Sequence, residues 1–113
     1  MSKVYDSLVK KVTDRRFGEI THEEWAVWRL KAKDKLPRFV ATVIYGEDFT
    51  AEVDIYHKTL VVAAGTAAVL FQIGLPGISG KSIKAIRLVS EDGIECQHLT
   101  SLRDRVVDLV GAH

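Results

Sequence analysis

A single cysteine, Cys96, excludes an internal disulfide, so the chain must hold itself together by packing alone and a reducing cytoplasm is the expected setting. Charge of one sign is also missing: sixteen Lys and Arg balance fifteen Asp and Glu, and a net charge of +1 provides no general field for nucleic acid or anionic lipid. Proline occurs twice, and no Pro-, Gly- or Ser-rich tract separates one half from the other. Met1-Ser2-Lys3 opens a polar, helical pattern rather than an apolar signal region, and neither terminus carries a lipidation box. With 113 residues, 47% of them hydrophobic, the sequence predicts one globular domain over 1–113.

Two helical patterns come first. Val4, Tyr5, Leu8, Val9 and Val12 share one side of a 3.6-residue wheel, which predicts an amphipathic helix over 3–15. Thr21-His22-Glu23-Glu24 has the form of a capping box, in which hydroxyl and carboxylate reciprocally satisfy the Glu24 and Thr21 amides. The helix it opens is expected to run to about Lys35, because Leu36 precedes Pro37 and is pushed out of the α region.

From Arg38 the period changes to two. Residues 39–45 and 49–56, separated by Gly46-Glu47-Asp48, read as an antiparallel hairpin with one wet face. Residues 83–89 and 94–98 form further strand candidates around the Ser90-Glu91-Asp92-Gly93 turn. Leu99, Leu102, Val106, Leu109 and Val110 predict a C-terminal helix ended by Gly111.

Between Lys58 and Lys81 the sequence TLVVAAGTAAVLFQIGLPGISG carries no charge and leads into Gly80-Lys81-Ser82. A membrane span is disfavoured, since glycines and Pro76 interrupt the run and the remainder reads as a complete globular pattern. A phosphate-binding loop is disfavoured too. Gly74 stands one position too early for the Gly-x4-Gly-Lys-Ser box, and Leu75 occupies the glycine position. The remaining reading makes Thr59–Ile73 the centre of the sheet, as one long strand bulged at Gly65 or as a hairpin turning at Ala64–Ala67. The expected architecture is therefore α+β: a two-layer domain with an antiparallel, meander-like sheet of five to six strands, two N-terminal helices and one C-terminal helix. So apolar a sheet needs cover on both faces, which predicts a homodimer.

Candidate chemistry is sparse. Cys96 and His98, at i and i+2 on one strand, share a face and could pair as nucleophile and base. Asp54 and His57 end another strand, but their spacing sends them to opposite faces. With either His57 or Asp54 joining from a neighbouring strand, Cys96 and His98 would make a loose ligand set, yet nothing in the spacing demands zinc, and no metal or cofactor is expected. Trp25 and Trp28, with hydroxyls from Tyr45 and Tyr56, are the candidate lining of an apolar ligand pocket between helix and sheet. Glu47, Asp48, Glu52 and Asp54 gather acid around the first hairpin, whereas Arg29, Lys31, Lys33, Lys35 and Arg38 spread all round their helix and make no nucleic-acid stripe. The expectation is a small binding or protein-interaction module, self-associating through its sheet and taking a protein or small apolar ligand, with no nucleic acid or membrane partner. The alternative is a small enzyme with its pocket beside Trp25 and Trp28, using Cys96 and His98 or Asp54 and His57.

Overall fold

The hairpin comes first in building the sheet. In the computed structural model, which describes residues 3–30 and 33–100, β1 (Arg38–Ile44) and β2 (Thr50–Tyr56) pair antiparallel with Phe39 opposite Ile55 and Val43 opposite Ala51. Strict alternation buries Phe39, Ala41 and Val43 and leaves Val40, Thr42 and Ile44 on the other side. The other two strands, β3 (Ala85–Ser90) and β4 (Cys96–Leu99), form a second antiparallel pair. β3 joins the free edge of β1, giving the order β2-β1-β3-β4.

Two expectations are corrected here. The described residues contain four strands rather than five or six, and the order is not a meander, because β2 and β3 flank β1 instead of pairing with each other. Both differences have one cause. The uncharged run is helical: α3 spans Leu60–Ala68 and α4 spans Leu70–Ile73, joined at Val69, whose own backbone stays in the α region (φ −61°, ψ −24°). This helical passage carries the chain from one side of β1 to the other. Thr59 caps it, its hydroxyl accepting from the Val62 amide at 3.3 Å. Alanines at 63, 64, 67 and 68 give high helical propensity and small side chains, so α3 packs against all four strands. From Ala63 to Leu70 every residue is buried, as expected of a helix apolar on all sides. The surplus apolar surface that argued for a partner subunit is thus consumed within the chain.

After α4 the chain turns sharply. Leu75 and Ile78 exchange backbone hydrogen bonds around Pro76-Gly77, with φ +80° at Gly77, the form of a type II turn. Gly80 lies so close to α4 that a Cβ there would stand 2.5 Å from the Phe71 carbonyl oxygen. Gly80-Lys81-Ser82 is a single 3-10 turn following a helix and leading to a strand, the reverse of the order a phosphate-binding loop requires.

The N-terminal helices complete the described core. α1 spans Lys3–Thr13, and α2 spans His22–Leu30; residues 33–36 form turns, so α2 stops short of Lys35. The capping box forms, with Thr21 N to Glu24 Oε1 at 2.9 Å and Glu24 N to Thr21 Oγ1 at 3.1 Å. Lys11 Nζ donates to the same carboxylate oxygen at 2.8 Å and ties α1 to α2. Leu8, Val12, Phe17, Ile20, Trp25 and Trp28 join α3 and the inner sheet face in one hydrophobic cluster. No helix among the described residues is long and apolar enough to cross a membrane. The expected C-terminal helix lies outside the described residues.

Candidate functional site

Three places could carry function: the tryptophan helix, a cleft at one end of the sheet, and the sheet face opposite α3. At the first, Trp25 and Trp28 are both buried on α2. Trp25 Nε1 donates to the Thr66 carbonyl of α3 at 3.0 Å, and the Trp28 ring meets the His57 imidazole edge-on, 6.4 Å between centroids. His57 Nε2 lies 2.7 Å from Thr66 Oγ1, and that hydroxyl also reaches the Val62 carbonyl at 3.4 Å. Burial lowers the His57 pKa from the ordinary 6.5 to about 4, so the ring is neutral at pH 7. A neutral imidazole against a hydroxyl resembles a base and its nucleophile, but Thr66 is wholly buried and no substrate atom can reach it. The arrangement fastens α2, α3 and the end of β2 together.

Tyr56, which precedes His57 and ends β2 opposite Arg38, has Lys33 Nζ 5.8 Å from its ring centroid and stands outside the hydrophobic cluster that holds Trp25 and Trp28. Tyr45 follows the far end of β1 and stacks on Phe49, centroids 6.0 Å apart. The structure therefore brings together Trp25, Trp28 and His57, but not the two tyrosine hydroxyls, and sets Tyr45 at the opposite end of the sheet. Asp54 faces away from His57; its carboxylate pairs with Arg38 at 3.8 Å, while its backbone carbonyl accepts from Arg29 at 3.3 Å.

The cleft, about 430 Å³, lies between the start of β1, Lys58 and the β3–β4 turn. Its walls carry Arg38 and Lys58 against Glu91, Asp92 and Glu95. Arg38 Nε stands 3.9 Å from Glu91 Oε1, too far for a hydrogen bond. The turn below it is well braced: Asp92 Oδ1 accepts from the Ser90 hydroxyl at 2.5 Å and from the Ile94 amide at 3.0 Å, and these bonds lower the Asp92 pKa. None of the eight candidate residues named from the sequence lines this cleft.

On the sheet face opposite α3, cross-strand neighbours form rows. One row runs Glu52, Thr42, Arg87, His98; the next runs Asp54, Val40, Val89, Cys96; a third begins Thr50, Ile44, Ala85. Val40 and Val89 are cross-strand neighbours, Ile44 lies on the other side of the Thr42–Arg87 row, and all three are only half-buried. Glu52, Arg87, Cys96 and His98 on the same face are exposed. Cys96 and His98 do share this face, as their spacing requires, each over a different strand-pair row. No three His, Cys, Asp or Glu side chains gather as a ligand set among the described residues. Individual residues of this surface were visible in the sequence, but their rows depend on the β1–β3 pairing, which no local signal reports.

The fold is α+β with an antiparallel sheet. No family model matches the chain, and no curated protein and no solved structure matches it.

Proposed function

We propose that this chain is a small protein-interaction module that self-associates through the sheet face turned away from α3. The observation that carries the reading is a sheet face that none of the described helices covers, on which the neighbouring Val40 and Val89 and, beyond the Thr42–Arg87 row, Ile44 stand half-buried among polar and charged side chains. The domain is then a two-layer one whose helices serve the inner face, leaving the outer face for a partner. Support also comes from what the interior lacks. Trp25 and Trp28 pack directly on α3 and His57, and the hydroxyl beside the neutral imidazole is sealed. The single exposed thiol of Cys96 suits a reducing cytoplasm, where it stays free.

Sedimentation equilibrium tests the reading. The parent chain should pass from monomer to dimer in the range of about 10–500 µM, as befits an interface at the small end of the known range. Val40→Lys, which puts a charge beside Val89, should leave it monomeric across that range. The milder Val40→Thr with Val89→Thr, which keeps β-branched side chains in both strands, should raise the dissociation constant about tenfold. A parent chain that stays monomeric throughout, or a Val40→Lys variant that associates like the parent, overturns the reading.

A further inference from the structure

The charged side chains on the open face are unevenly placed: both acids, Glu52 and Asp54, stand on β2 at one edge with Arg38 of β1 beside Asp54, while Arg87 stands on β3 and the His98 imidazole on β4 in the other half. Among the described residues the side chains of Glu52, Arg87 and His98 have no ion-pair or hydrogen-bond partner. Only Asp54 is engaged, with Arg38 at 3.8 Å. Between the two edge strands, β1 and β3 present Val40, Ile44 and Val89 together with Thr42 and Arg87.

Two copies of one sheet can stack face to face, with strands aligned, about a two-fold axis lying between the sheets. The axis can run across the strands or along them. An axis across the strands lays each strand antiparallel on its own copy: the acid-bearing β2 then confronts the partner's β2, and with the axis through the Glu52 row both Glu52 and Arg87 confront their own equivalents. An axis along the strands exchanges the two halves, laying β2 on the partner's β4 and β1 on the partner's β3. Glu52 then stands over the partner's His98, within side-chain reach of the partner's Arg87, and Val40 stands over the partner's Val89. Like charges disfavour the first arrangement, opposite charges and apolar contact both favour the second, and each favourable contact occurs twice by symmetry.

We propose that the open sheet face docks on a second copy of this chain about a two-fold axis parallel to the strands, so that β2 of each copy lies over β3 and β4 of the other. This rests on the self-association reading above and adds its geometry. Four strands about 4.8 Å apart and four to seven residues long give a flat footprint on the order of 400 Å², so a micromolar, salt-sensitive dimer is expected rather than an obligate one.

The test is a charge series in the full chain, with dissociation constants from sedimentation equilibrium at low salt and far-ultraviolet circular dichroism to verify folding. Glu52→Arg and Arg87→Glu, taken singly, should each weaken the dimer about tenfold or more, because each puts like charges in contact twice. The double variant should return to within about threefold of the parent. The neutral Glu52→Gln, at an exposed position that should not disturb folding, should weaken the dimer about threefold. With the axis across the strands the single reversals would change little and Glu52→Gln would tighten association. That result, or a double variant as weak as the singles, overturns the proposed axis while leaving self-association standing. A parent chain that never dimerises removes both.

Discussion

Glu24 and His57 are the two residues whose ionisation the fold has moved most, and they act on opposite charge states. Burial by itself would raise the Glu24 pKa, but the Lys11 ammonium, the Thr21 amide and the Ser7 hydroxyl together outweigh it and bring the value to about 2. The folded state therefore binds the Glu24 proton less tightly than the unfolded chain does. Its contribution is complete above about pH 4.5 and disappears as pH falls toward 2. For His57 the folded chain also holds the proton less tightly, this time because charging a buried imidazole is costly; stability is full above about pH 6.5 and falls between there and 4. Urea unfolding followed by tryptophan fluorescence should show the loss in both windows, on the order of 2–3 kcal/mol each. Replacing His57 with Gln should lower stability at pH 7 but flatten the profile between pH 6.5 and 4. Glu24→Gln keeps a carbonyl oxygen for the Thr21 amide but removes the ion pair with Lys11, so it should cost on the order of 2 kcal/mol at pH 7 and abolish the slope below pH 4.5. A parallel profile in either variant would show that the named group is not the one titrating.

At the scale of elements, the hairpin, the capping box and the Ser90–Gly93 turn were legible because each depends on neighbours a few residues away. The run after Lys58 was not. Its residues are apolar whichever way they face, so neither a two-residue nor a 3.6-residue period emerges, and its glycines and valines point toward strand. The better guide was present: a threonine able to cap, then four alanines in positions that one helix can bury, then Gly74 with φ +72° closing α4. Val61 and Val62 pulled toward strand, but β propensity yields to burial and to tight packing against the sheet. The glycines after α4 are not equivalent, and this can be measured. Gly80→Ala forces a Cβ to within 2.5 Å of the Phe71 carbonyl and should cost about 1–3 kcal/mol in chemical denaturation. Gly77→Ala meets nothing within 4 Å and should lose only the cost of its positive φ, about 1 kcal/mol. Equal effects would mean that close approach to α4 is not what fixes Gly80. The candidate site was less legible than the fold, since Cys96 and His98 could be put on one face but not beside Arg87 and Val89.

For the whole molecule, the corrected position of the apolar run reverses the reason for expecting a partner. A chain whose most hydrophobic segment is buried by its own sheet needs no second subunit to fold, so any dimer should form between chains that are already folded. Thermal melts should then be nearly independent of concentration, whereas obligate dimers gain stability as concentration rises. The strand order has a further consequence, for the growing chain on the ribosome. β1 is the first strand to be made, yet one of its long edges is occupied only by β3, with Phe39 waiting for Ser90 and Val43 for Ile86. Until residues 85–90 have emerged, the hairpin has a naked edge and α3 has only half a sheet to rest on. Pairings between such distant residues are slow to form, so the second half of synthesis is the period in which a chaperone would find the most to hold.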